Sequence, residues 1–142
     1  MKADNIKNEI LNKISQYSKS INEVDLKLAS KIWLNSNDVT FIHPRGHEHG
    51  FKEIKENFYI KTMQEKFSKR NLNILDVNLQ MHGDTVIAEF YWDFNAQFKD
   101  TGEEHNTKGR ETQVFIKDSN NEWKLIHVHY SNMPVSGKKE GF

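Results

Sequence analysis

The stretch Val86-Ile-Ala-Glu-Phe-Tyr-Trp-Asp-Phe-Asn-Ala-Gln-Phe98 decides the fold. Successive side chains of a strand point to opposite faces. Phe90, Trp92, Phe94, Ala96 and Phe98 then share one face, and Glu89, Tyr91, Asp93, Asn95 and Gln97 the other. The aromatic face needs a cover of helices. The polar face suits water or a partner subunit.

Period-two patterning continues on both sides of this strand. Leu75, Val77, Leu79 and Met81 alternate with Asp76, Asn78 and Gln80, and His82-Gly83-Asp84 reads as a hairpin turn. Ser68 to Asn71 reads as a polar turn before it. After it, Asp100-Thr101-Gly102 starts a longer connection, and Arg110 to Lys117 forms the next strand. A turn at Asp118–Asn121 leads into a last strand, Trp123 to Ser131. Glu111, Gln113 and Phe115 share the helix-facing side of their strand. On the last strand Ile126, Val128 and Tyr130 share one face, and Leu125, His127 and His129 the other. Glu111 and Gln113 are polar at positions that should be apolar, so each must find a partner, a water or a ligand.

Before residue 72 the period is helical. Asp4 can cap a helix carrying Ile6, Ile10, Ile14, Tyr17 and Ile21 on one stripe, and Asn22 can cap a second with Val24, Leu28 and Ile32. Val39 to His43 is a short strand stopped by Pro44. Arg45 to Gly50 reads as a loop, and Phe51, Ile54 and Phe58 begin a third helix running to about Phe67. Helices followed by a hairpin-connected meander make an α+β domain. The expected domain spans 1–134, with a flexible tail at 135–142.

The composition excludes several classes. Twenty basic residues balance twenty acidic ones. This argues against a nucleic-acid partner, which needs a basic excess, and against an electrostatic membrane anchor. It favours self-association. With no cysteine, disulfides, thiolate catalysis and cysteine metal sites are out. The first fourteen residues hold no apolar run of the signal-peptide or membrane-spanning kind, so the expected location is cytoplasmic.

Two segments resemble a known superfamily. Asp38-Val-Thr-Phe-Ile-His-Pro-Arg-Gly46 with the helix from Phe51 to Phe67 is similar to the first strand and third helix of nuclear-transport-factor-2-like proteins. Gly109-Arg-Glu-Thr-Gln-Val-Phe115 and Trp123-Lys-Leu-Ile-His-Val-His-Tyr-Ser131 resemble the last hairpin of SnoaL-like domains and of the calmodulin-dependent kinase association domain. The match runs over about residues 5 to 133. It implies a cone-shaped, cystatin-like fold, with three helices of the N-terminal half packed on a curved antiparallel sheet, a pocket at the wide end, and a homodimer. It implies no single activity. The ketosteroid isomerase branch has a catalytic aspartate where this chain has His43. That branch's oxyanion acid falls at Gln113, and its helix-one tyrosine corresponds by region to Tyr17. The kinase domain's pocket arginines fall at Trp92, Gln113 and Tyr130.

The first functional expectation is a cofactor-free module binding a small apolar or carbonyl-bearing molecule. Trp92, Gln113, Tyr130, Glu111 and Phe90 would line the pocket, with His43 at its polar end and His47 or His49 near the rim. The second is an isomerase, dehydratase or cyclase using His43 as general acid or base, since histidine titrates near neutrality. The third is an assembly module with a filled interior. The plainer reading of His43 is a strand-end histidine bonded to backbone or water. His127 and His129 have metal-ligand spacing, but read more simply as a cross-strand ladder to Thr112, Asp93 or Tyr91. No metal is expected. Arg110 should pair with Glu89 or Asp93.

Overall fold

The computed structural model describes residues 2–134, so the tail expected at 135–142 lies outside the described residues. The elements are α1 (Lys2–Glu23), α2 (Leu26–Ile32), β1 (Thr40–His43), β2 (Gly46–His49) and α3 (Gly50–Glu53). A π-helical segment (Ile54–Gln64) continues α3, and β3 (Phe67–His82), β4 (Thr85–Phe98), β5 (Glu104–Lys117) and β6 (Trp123–Asn132) follow. The strands form one curved sheet in the order β2-β1-β6-β5-β4-β3. It is antiparallel throughout except where β1 runs parallel to β6. The helices lie on its concave, aromatic face, as the α+β reading expected.

Helix α1 buries Ile10, Ile14, Tyr17 and Ile21, the stripe read from the sequence. Its start is earlier than expected, so Asp4 lies in the first turn, where its charge favours the helix dipole. The second cap is Asp25, not Asn22: Asp25 Oδ1 accepts from Leu28 N at 3.0 Å. Asn22 stays in α1, and its side chain accepts from Leu72 N. The shift moves the buried stripe of α2 to Ala29 and Ile32, with Trp33 following.

The third helix winds wider than an α-helix. In a π-helix the bonds reach five residues back, so positions four and five apart share a face. Ile54, Phe58, Tyr59, Thr62 and Met63 are buried accordingly.

Three loop assignments become strand. Arg45 to Gly50 contains β2, which pairs Ile42 with His47 and Phe41 with Glu48. Ser68 to Asn71 belongs to β3, and β5 starts at Glu104 rather than Arg110. Polar composition misled because these strands lie at sheet edges or ends, where one face meets water.

Bulges explain the two parity errors. Register shifts between Leu75 and Asn78, where Asp76 takes φ 55°. Ile74 and Val77 are therefore partly buried, while Leu75 is 48% exposed. A second shift lets Phe115 pair with Leu125 after Val114 pairs with His127. Leu125 consequently joins the core with Val128, and Ile126 is displaced from it.

Candidate functional site

Register builds the concave face in rows. Phe90, Glu111 and Tyr130 are cross-strand partners on β4, β5 and β6, and Trp92, Gly109 and Asn132 form the next row. Gly109 matters because a side chain there would collide with the Trp92 indole and the Ser131 carbonyl. Trp92 thus lies over the bare backbone of β5, with its ring edge-on to Tyr130 at 5.4 Å.

A cavity of about 340 Å³ lies between this face, α1 and the π-helical segment. Its walls are apolar, with Ile21, Phe58, Met63, Leu72, Trp92 and Phe94 among them. Glu111, Tyr17 and Tyr130 supply polar atoms at the inner end. Arg45, Lys66, His105 and Asn132 stand at the more exposed end.

Glu111 is the unusual group. It is 5% exposed, and Gln113 Nε2 donates to its Oε2 at 2.7 Å. Burial raises its pKa to about 8, outweighing the stabilisation that Gln113 and Tyr17 give the ionised form. At neutral pH it is mainly a carboxylic acid, able to donate a hydrogen bond or a proton. The Gln113 amide suits both states. Its N–H donates to a carboxylate and, turned over, its oxygen accepts from the acid. Gln113 Oε1 and the Trp92 indole N–H have no protein partner. Burial and Glu111 also raise the pKa of Tyr17 and Tyr130, so both remain neutral phenols.

His43 occupies a different place. Its Nε2 lies 2.7 Å from Glu48 Oε2, while Nδ1 accepts from Arg45 N at 3.3 Å. Nε2 therefore carries the hydrogen and donates to the carboxylate. Asn57 Nδ2 donates to the other Glu48 oxygen at 2.8 Å. The imidazole packs against Phe41, Phe58 and Tyr130. Burial lowers its pKa, with Glu48 acting in the opposite direction. Both ring nitrogens are engaged, and His43 is absent from the cavity lining.

Of the residues expected to line the pocket, Trp92, Tyr130 and Glu111 do so. Phe90 is core beneath the cavity, and Gln113 touches it only through Glu111. Tyr17, read mainly as core, reaches the inner end. His47 and His49 are exposed on edge strand β2, away from the mouth.

On the convex face His127 Nδ1 meets Thr40 Oγ1 at 2.7 Å, replacing the expected ladder to β4 and β5. Arg110 donates to Ser131 Oγ instead of pairing with Glu89 or Asp93. Among the described residues no three His, Asp or Glu side chains are grouped to hold a metal ion. No helix among them is long and apolar enough to cross a membrane.

Comparison with known proteins places this geometry in context. The SnoaL-like domain family matches residues 10–136. A nuclear transport factor 2-like superfamily protein from Salmonella enterica serovar Typhimurium is 40% identical. The alignment covers 99% of each chain with a TM-score of 0.96. The S. rosetta CaMKII hub shares the fold at 22% identity and TM-score 0.72, covering 88% of this chain and 95% of the hub. Hexachlorocyclohexane dehydrochlorinase LinA-type3 from Novosphingobium barchaimii shares it at 10% identity and TM-score 0.80, covering 94% and 91%. No protein of curated function matches the sequence at a significant level.

Proposed function

The chain belongs to the SnoaL-like domain family, and from that premise we propose that it binds a small, largely apolar molecule in the cavity, whose polar inner end meets the Glu111 acid. One observation carries this reading: an apolar cavity whose inner end holds a buried carboxyl with a pKa of about 8. A ligand carbonyl or hydroxyl oxygen there would accept from the acid, and the unpartnered Trp92 N–H offers a second donor. The ligand-free assembly reading required aromatic side chains to plug this space, and the cavity beside Trp92 and Phe94 favours binding instead.

NMR titration with 4-phenylbutan-2-one tests the reading. Affinity should fall as pH rises through about 8, because the donor is lost. Glu111→Gln should bind without that pH dependence. No binding by the wild type, or an unchanged pH dependence in the variant, would refute it.

A second reading follows from the same pKa. A group that titrates close to the working pH is the best general acid or base. Isomerase or dehydratase chemistry here would run through Glu111 in place of His43. Glu111→Gln should then reduce turnover by about a hundred- to ten-thousand-fold. Homodimerisation through the convex sheet face, which carries the 45% exposed Tyr91, is part of the proposal. A monomeric sedimentation profile at micromolar concentration would remove it. The balanced charge argues against nucleic-acid and anionic-membrane partners, and a cytoplasmic location is part of the proposal.

A further inference from the structure

Resting on the pocket reading above, we propose that the ligand is an anionic amphiphile, with its largely apolar body, and any neutral oxygen it carries for Glu111, inside the cavity and its carboxylate-like end between Arg45 and Lys66 at the mouth.

Charge distribution is the first argument. The chain has a formal net charge of zero, yet the cavity's formally charged side chains are unequal in sign. Arg45 and Lys66 are cationic, and Glu111, the one carboxyl among the described lining residues, is held mainly neutral. The two ion pairs found among the described residues are His43–Glu48 and Lys124–Glu122. Arg45 and Lys66 belong to neither. An apolar cavity with two uncommitted cations at its open end and no opposing carboxylate selects for negative charge.

Positioning is the second argument. Arg45 follows Pro44 in the turn between β1 and β2, and its backbone N–H is anchored on His43 Nδ1. The ring is in turn fixed by Glu48, which Asn57 of the π-helical segment also holds. The buried histidine is thus a positioning residue for the turn that presents Arg45. The guanidinium charge is felt at the Tyr130 hydroxyl, further inside, where it opposes the upward shift. Lys66 lies just beyond the end of the same π-helical segment and also lines the cavity.

Energetics orient the molecule. An ionised carboxylate pushed to the inner end would be desolvated at a cost of several kcal/mol. At the mouth it keeps part of its hydration while gaining charge-assisted hydrogen bonds. The apolar body displaces water from the aromatic walls. The volume of about 340 Å³ falls at the lower end of the range for small-molecule sites, about 300–1,000 Å³. That suits a body of phenylalkyl size.

Calorimetric titration with 4-phenylbutyrate, 4-phenylbutan-1-ol and 4-phenylbutylamine at neutral pH tests the proposal, since the three share one body. The carboxylate should bind about tenfold more tightly than the alcohol, and the amine most weakly. In the Arg45→Gln/Lys66→Gln double variant the carboxylate should lose its advantage and bind no more tightly than the alcohol does to the same variant. Raising salt to about 0.5 M should narrow the gap in the wild type. If the alcohol equals the carboxylate, or the preference survives in the double variant, the anionic assignment falls and the pocket reading stands. If none of the three binds, the pocket reading falls with it.

Discussion

Two buried glutamates, each hydrogen-bonded to a conjugated polar partner, have opposite fates. Glu48 has a complete set of partners: His43 on one oxygen and Asn57 on the other. Its histidine is committed on both nitrogens and faces no cavity. Glu111 has the Gln113 amide on one oxygen, the Tyr17 hydroxyl as its other polar neighbour, and an apolar cavity beside it. Desolvation prevails there, and the acid keeps its proton. A carboxylate with full partnership is structural, whereas one left short of partners next to open space can exchange a proton. Residue type alone pointed to His43, because histidine is the ordinary neutral-pH titrating group. Burial raised a glutamate into that range and lowered a histidine from its ordinary value.

The largest expected effect tests the Glu111 half of this contrast. The unfolded chain loses the Glu111 proton in the ordinary carboxylate range, and the folded chain holds it to about 8. The resulting contribution to stability is present in full below the ordinary range and is lost as pH rises to about 8. Its slope approaches roughly 1.4 kcal/mol per pH unit, or on the order of 5 kcal/mol in all. Denaturant unfolding of Glu111→Gln should lack this decline. Matching pH profiles for variant and wild type would mean that Glu111 is already ionised across this range.

Gly109→Ala should have the next largest effect. The added methyl meets the Trp92 ring and the Ser131 carbonyl, and overpacking of this kind costs roughly 1–3 kcal/mol. Ligand affinity should fall as well, since Trp92 must leave its place in the wall. A variant as stable as the wild type with unchanged affinity would show that the indole is not held there.

The smallest effect belongs to His43→Gln. Loss of one Glu48 hydrogen bond should cost about 1–2 kcal/mol in a thermal or denaturant melt. Binding of a neutral ligand, measured on the folded fraction, should change less than about twofold, within the range of a distant surface effect. Loss of binding without loss of stability would return His43 to the site and erase the contrast.

Much of the site was legible from polar residues in the wrong place. Glu111 and Gln113 broke the apolar rule on β5, and the structure pairs them at 2.7 Å. Tyr17, read as part of the α1 stripe and matched to the isomerase tyrosine by region alone, also reaches the cavity. Glu48, Arg45 and Lys66 carried no such signal. Arg45 and Glu48 lie in what reads as a polar loop, and only the pairing of β2 with β1 turns Glu48 inward. Lys66 ends a helix whose wider winding no hydrophobic period announced.

The sequence by itself determined the order of elements apart from β2, the aromatic concave face and the stripe of α1, because these follow from local periodicity. It also marked Glu111 as a residue in need of a partner. Tertiary structure decided the rest. Two bulges reset parity where pattern counting assumes none. The parallel pairing of β1 with β6 joined residues distant in sequence, and the enclosure around Glu111 set its proton affinity. Local pattern specifies which way a side chain points, but desolvation depends on everything packed around it, and that is a property of the assembled fold.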